Sequence, residues 1–345
     1  MPQYKANLNN KKILFLSPQF FSYEKLLKRA LEHKGAMVTF FDERPSNTTV
    51  GKTLLRINRK LVNHQIKHYY QRIIDQIKNQ SFDYILICQA EATPIFFLEF
   101  LREHFSDSRR ILYLWDSVRN KINTVEKIPF FSRIYSFDHQ DCERYNWQFR
   151  PLFFDESYSE IANSKDTTKP DLFFVGTIHS DRYLILEKIK KSFVKQHKDV
   201  FYFYYIPSKL MFYYYKYVKK IIPKSEIGDF HYRPLPQQTL QRKLAGARVV
   251  VDIQHPQQTG LTMRTIEMLG ANKKVITTNQ DIVHYDFYNP KNICVVDRKH
   301  VSVPSTFLES TYQPIPSVIY QHYSISYFLD DLLGLAKDEG DYYHE

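Results

Sequence analysis

Glycine is scarce in this chain, nine in 345 residues, and no glycine-rich or other low-complexity tract interrupts it. Cysteine is scarcer. Cys88, Cys142 and Cys294 share no pair spacing and form no CxxC, so neither a disulfide framework nor a zinc site of ordinary spacing is expected. The thirteen histidines are scattered without ligand spacing, and no metal is expected. No apolar run approaches the roughly 20 residues that cross a bilayer as a helix. The opening "MPQYKANLNNKK" is polar and carries no signal-type segment. Reduced cysteines and these absences together predict a cytoplasmic protein.

What is present is a large apolar fraction, 43%, with 16% aromatic residues, enough for two real cores at this length. Lys and Arg number 48 against 37 Asp and Glu, leaving a net charge of +11. Such a balance favours anionic partners: phosphorylated ligands, nucleic acid or an acidic membrane surface.

Short apolar runs alternate with helical spacing along the chain. Strands are expected at 12–16, 37–41, 83–88, 110–115 and 133–137, with helices at 22–34, 52–79 and 94–105. Residues 155–170, "DESYSEIANSKDTTKP", turn polar, lose periodicity and read as a linker. The pattern then restarts, with strands at 171–176, 200–206, 247–253, 274–278 and 292–297 and helices at 181–194 and 236–245. Alternation of this kind predicts βαβ units on parallel sheets, in two successive α/β halves. The expected boundaries are 1–155, 171–315 and a C-terminal segment, 316–345, whose helix near 323–333 packs back across both halves while the last nine residues stay loose.

The stretch "QQTGLTMRTIEMLGANKKVITTN" (257–279) stands out, because two of the few glycines bracket one short helical pattern. Ligands of open α/β sheets bind beyond the carboxyl ends of the strands. A helix beginning near 259–264, just after the strand ending at Asp252, would offer free backbone N–H groups to a phosphate. Gly260 would let backbone approach the ligand, Arg264 would fork onto a phosphate, and Glu267, three residues on, would accept ribose hydroxyls. A plain surface ion pair between Arg264 and Glu267 fits the same spacing. In "FVGTIHSDR", Gly176 and Thr177 end a strand with Arg182 nearby, suiting either a diphosphate or an ordinary turn capped by Ser180. Thr277, Thr278 and Asn279 end another strand, where Thr278 is a candidate ligand contact. Lys273 and Lys274 suit a solvated helix end.

Residues 247–298, with "LYLWDS", "FDHQD" and "DLFFVGTIHSDR", resemble the GT-B glycosyltransferases, especially a bacterial type associated with capsule and lipopolysaccharide assembly. The resemblance implies two Rossmann-like domains facing across a cleft, with a C-terminal bridging helix. It implies a metal-independent transferase with no cofactor beyond its nucleotide-sugar donor substrate, and a lipid-linked or oligosaccharide acceptor rather than nucleic acid. It gives Glu267 the donor ribose. Many retaining members carry a second glutamate eight residues earlier, where this chain has Thr259. An inverting transfer needs a base from the first half; Asp116, Glu91 and the Asp138, His139, Asp141 group lie after strands there. A nucleotide-sugar epimerase or hydrolase on the same fold, or a non-catalytic binder of an anionic polymer, are the alternatives.

One further segment, "KLMFYYYKYVKKIIPK" (209–224), is aromatic and basic together. It suits a core helix with snorkelling lysines, a surface for single-stranded nucleic acid, or peripheral contact with the inner membrane.

Overall fold

A computed structural model describes residues 7–44, 59–120, 122–163, 170–256, 258–336, 340 and 342–344. The chain divides into two compact units, Met1–Pro151 with Ile325–Glu339, and Leu152–Ser324 with Gly340–Glu345.

In the first unit, β1 (Lys12–Ser17), β2 (Met37–Asp42), β3 (Tyr84–Cys88), β4 (Arg109–Leu114), β5 (Arg133–Ser136) and β6 (Gln148–Phe149) form one parallel sheet in the order β2-β1-β3-β4-β5-β6. The runs ILFL, YILIC and ILYL are buried from end to end. That is the signature of strands covered on both faces, where every residue and not every second one meets apolar neighbours. Helices Tyr23–His33, Arg59–Ile77 and Ile95–His104 provide the cover. The expected helix at 52–79 is seen from Arg59; its first turns lie outside the described residues. Gly35, at φ 94°, ends the first helix in the left-handed conformation that glycine adopts at least cost.

The second unit holds β7 (Leu172–Thr177), β8 (Val200–Tyr205), β9 (Phe230–His231), β10 (Val249–Asp252), β11 (Lys274–Thr277) and β12 (Ile293–Val295), again all parallel. Their order is β12-β11-β10-β7-β8-β9. Counted from β7, that is 3-2-1-4-5-6 read from the other edge, the Rossmann order, whose direction reverses between β7 and β10. In the first sheet the reversal falls between β1 and β3.

Three features correct the sequence reading. The polar stretch at 155–170 is not all linker, since Glu156–Ala162 is a helix capped by Asp155, whose side chain accepts from Ser157 N at 3.3 Å. Ile161 pins that helix to the second unit's core. The tail is not loose among its described residues, because Tyr342 is buried against Tyr323 and the Tyr343 hydroxyl donates to Asp281 at 2.7 Å. Lys274 is not solvated either. Its ammonium is buried against Ser310 (2.8 Å to the carbonyl) and sits 4.1 Å from the Phe307 ring centre, and burial pushes its pKa down to about 8.

The Ile325–Leu332 helix belongs to the first unit by its packing. Phe328 meets Tyr113 edge-on at 4.8 Å, and Asp331 pairs with the fully buried Arg150 at 3.0 Å. Asp330 accepts both carboxylate hydrogen bonds from Lys34 at 2.8 Å, with both side chains under 10% exposed. Removing one member of a buried pair strands the other charge, a loss of about 3–5 kcal/mol. Asp330→Ala is expected to lower urea stability by that amount, whereas the double replacement Lys34→Met with Asp330→Leu recovers most of it. Equal losses in the single and double variants would contradict a charge-based account.

Candidate functional site

At the carboxyl edge of the second sheet, the loop after β7 turns sharply through His179 and Ser180, the latter at φ 45°. The Arg182–Val194 helix follows. Its N-cap residue, Asp181, makes no side-chain cap; the carboxylate is instead held by Arg298, at 2.8 and 3.0 Å. Arg182 itself turns back under the helix. One guanidinium nitrogen donates to the Thr177 carbonyl at 2.8 Å, and the other to the Ile253 carbonyl after β10. Arg182 thus spans the gap where strand order reverses. Its Nε is buried without an acceptor.

Two more guanidiniums converge there. Arg298, just beyond β12, donates to the Gln254 carbonyl at 2.7 Å as well as to Asp181. Arg264 donates to the Val175 carbonyl and lies over the Phe174 ring, 5.8 Å from its centre. Burial pushes the Arg182 pKa down to about 10, with Arg264 and Arg298 adding to the depression and Asp252 opposing it. His179 responds to the same field: burial first, then Arg182 and His255, push it down to about 4, so it is neutral at pH 7. Three partly desolvated cations, offset by Asp252 and Asp181, make a seat for a compact, multiply charged anion.

The Met263–Gly270 helix closes one side. Thr262 caps it, accepting from Thr265 N at 3.3 Å, so one amide of the predicted phosphate seat is already taken. Both threonine hydroxyls donate to the buried Asp252 carboxylate. Gly260 is buried, and its carbonyl, like that of Thr259, accepts from the Asn279 side chain (3.4 and 2.9 Å). Thr278 is buried with its hydroxyl on Gln254. Asn279 and Thr278 therefore brace the loops after β10 and β11. The second bracketing glycine, Gly270, serves packing: a Cβ there would lie 2.4 Å from the Phe154 ring. Gly176 is tight as well, its Cβ position lying 3.0 Å from the Phe174 ring on which Arg264 rests, while Thr177 is exposed.

Glu267, two-thirds of the way along that helix, is half-buried and faces Tyr158 on the Glu156–Ala162 helix. Burial, followed by the Glu267 charge and a hydrogen bond to that carboxylate, raises the Tyr158 pKa, while Arg264 lowers it. A neutral phenol donating to a carboxylate is the contact a ribose hydroxyl would make. Tyr158, Arg298, His179 and His255 were all missing from the sequence reading. Tyr158 sat in the supposed linker, and Arg298 ended the 247–298 block without a role.

The first unit has its own unusual edge, at the β1–β3 reversal. Gln89 and Ala90 follow β3 with φ of 72° and 51°, two successive non-glycine residues in a left-handed conformation costing about 1–2 kcal/mol each. Two buried ionisable side chains staple this loop. Lys127 donates to the carbonyls of Ala90 and Glu91, at 2.6 and 2.9 Å. Glu43 accepts from the amides of Ala92 and Thr93 and from the Thr93 hydroxyl. Glu43 Oε2 and Gln89 Nε2 are buried without partners. Of the four acids proposed from sequence, Glu91 pairs with Arg44 at 3.2 Å and Asp116 accepts from Asn120 at 2.8 Å; both are partly exposed. Asp138 is buried, caps the His139–Tyr145 helix and accepts from Ser117. Asp141, also in that helix, accepts from Val118 N at 2.7 Å.

No family model and no curated protein matches this sequence. Solved structures do match in fold. An alpha-glucosyltransferase in complex with UDP and a 13-mer DNA superposes with a TM-score of 0.60 at 12% identity, over 94% of this chain and 99% of that one. A glycosyltransferase from Rickettsia africae gives 0.58 at 11%, covering 96% and 100%. Anabaena HepE, in complex with UDP and glucose, gives 0.55 at 10%, covering 94% and 99%. The fold is GT-B, with two Rossmann-like domains.

Burial pushes the Glu43 pKa up to about 7, against the pull of the Ala92 amide and Lys127. The folded protein holds this proton to near neutrality, while the unfolded chain releases it near 4.3. Between those values the unfolded state binds fewer protons, so stability falls as pH rises, by about 4 kcal/mol in all, and levels off above about 7. Glu43→Gln removes this slope. Urea unfolding of both proteins from about pH 5 to 8 is expected to show the gap between them drifting in the variant's favour; parallel profiles would contradict the assignment.

Proposed function

We propose that this protein transfers a sugar from a nucleotide-sugar donor to a growing cell-surface glycan, of the capsule, lipopolysaccharide or exopolysaccharide kind. The observation that carries the reading is Arg182, spanning the strand-order reversal of a Rossmann-ordered sheet with Arg264 and Arg298 beside it. In sheets of this order nucleotides bind at that reversal. Named relatives in fold support the choice of donor, since two of them hold UDP.

In this scheme the diphosphate lies among Arg182, Arg264 and Arg298, near Gly176, Thr177 and the 259–264 turn. Glu267 takes the ribose hydroxyls in place of the Tyr158 phenol. Transfer breaks the bond from the anomeric carbon to the diphosphate oxygen and forms one to the acceptor oxygen. The acceptor proton passes to a base of the first unit, Glu91 or Asp116. Asp138 is the weaker candidate, because its carboxylate is buried and already caps a helix. The charge that grows on the departing diphosphate falls among fixed guanidiniums, which perform the stabilising role a metal performs elsewhere. Thr259 replaces the second glutamate of many retaining members, so the reading leaves the stereochemical course to measurement. The acceptor is a lipid-linked or oligosaccharide glycan; a lipid-linked one would bring a cytoplasmic enzyme to the cytoplasmic face of the inner membrane.

A panel of nucleotide sugars tested for thermal stabilisation identifies the donor, since a ligand at about 100 times its Kd adds about 2.7 kcal/mol. Glu267→Ala is expected to weaken the stabilising donor about tenfold or more, because ribose then loses a charged acceptor. Undiminished binding would remove Glu267 from the scheme. Product formation without any acceptor would select an epimerase or hydrolase instead. Salt-dependent polymer binding with no nucleotide-sugar binding would select a non-catalytic binder.

A further inference from the structure

The basic aromatic segment between β8 and β9 is not a core helix. It begins as Lys209–Tyr213, capped by Ser208, whose hydroxyl accepts from Met211 N at 3.2 Å. It then widens into a single π-helical stretch, Tyr214–Val218, in which Lys219 N reaches the Tyr214 carbonyl at 2.9 Å. Such widened turns are rare and concentrate at functional sites. One side anchors the segment. Phe212 is buried against Phe230, with ring centres 5.4 Å apart, and Ile222 is buried beside them. Met211, Tyr215 and Ile221 pack partly on the same core.

The other side faces solvent with the wrong chemistry for solvent. Leu210 is 79% exposed, Val218 67%, Tyr217 64% and Tyr213 49%. The Tyr213 and Tyr217 rings lie nearly parallel, at 8°, with centres 6.2 Å apart. Around them Lys209, Lys219, Lys220 and Lys224 are exposed, and no acidic residue occurs from 200 to 225. Lys216 is drawn inward to the Ser225 carbonyl at 2.6 Å.

We infer that this face is a docking surface for a bilayer carrying anionic lipid. Leu210 and Val218 gain by entering the acyl boundary, and the tyrosines suit the headgroup level, each having an apolar body and a polar tip. The four outward lysines meet the anionic surface, where each cation adds attraction. Single-stranded nucleic acid fits less well. Leu210 and Val218, the most exposed side chains of this face, would have no role there. Among the described residues no helix is long and apolar enough to cross a membrane, so the contact is peripheral. The inference stands on this face alone and does not depend on sugar transfer.

The test uses the full chain with phosphatidylcholine vesicles, plain or containing phosphatidylglycerol. Sedimentation with the anionic vesicles and not with the plain ones is expected. Lys219→Gln with Lys220→Gln is expected to weaken vesicle binding about tenfold, and Leu210→Ser with Tyr217→Ser at least as much. Melting temperatures should hold, since all four side chains point outward. The two native tryptophans, Trp115 and Trp147, lie in the other unit. Tyr217→Trp therefore adds a local reporter whose emission shifts to the blue on anionic vesicles. Failure of the wild type to bind those vesicles, unchanged binding in both double variants, no emission shift, or tighter binding of the segment's lysines to a single-stranded oligonucleotide than to vesicles would each overturn the inference.

Discussion

The second unit is organised around positive charge held where water is scarce. Arg182, Arg264 and Arg298 each give hydrogen bonds to backbone carbonyls near the carboxyl ends of strands: Thr177 and Ile253, Val175, and Gln254. Strand ends thus fix the cations, and the cations tie neighbouring strand ends together. Two carboxylates offset part of the charge, Asp181 at a helix start and Asp252 at the end of β10. Asp181 gives up capping its own helix to hold Arg298, and Asp252 serves as acceptor for the Thr262 and Thr265 hydroxyls. A polar group buried this densely is costly unless every member is engaged. The buried Arg182 Nε is the exception, and it lies where the strand order reverses.

The two units solve the same topological problem with different chemistry. Both sheets reverse direction beside their first strand, and both place unusual groups at that reversal. In the second unit these are cations. In the first they are a left-handed Gln89–Ala90 pair, stapled by the Glu43 carboxylate from one side and the Lys127 ammonium from the other. Backbone strain of this kind persists only where the surroundings over-determine it. The loop it shapes carries Glu91, partly exposed and paired to Arg44. Burial of Glu43, which raises its pKa to about 7 against the pull of the Ala92 amide and Lys127, links the set of that loop to pH.

Much of this was legible in the sequence, for physical reasons that differ by element. Strands buried on both faces announce themselves as unbroken apolar runs, and KILFLS, YILIC and VVVD all became central strands. The helix at 263–270 was legible because Met263, Ile266 and Leu269 fall at helical spacing. Tyr158 was not legible, because its helix is short, polar and stabilised by Asp155 and tertiary packing, with no hydrophobic period of its own. Lys274 read as solvated because two adjacent lysines after a helix usually are. Only the Ser310 and Phe307 partners, more than thirty residues on, bury it. Arg298 and the histidines His179 and His255 depend on strand order, and strand order is not local information.

The guanidinium cluster at the β7–β10 reversal is proposed to recognise a diphosphate. Calorimetric titration with uridine, UMP and UDP tests it most directly, with GDP alongside in case the base differs. The account predicts affinity rising about tenfold or more from nucleoside to diphosphate, a gain that Arg298→Gln largely abolishes while the melting temperature changes little. Equal affinity for uridine and UDP, or a diphosphate preference untouched by that substitution, would contradict it.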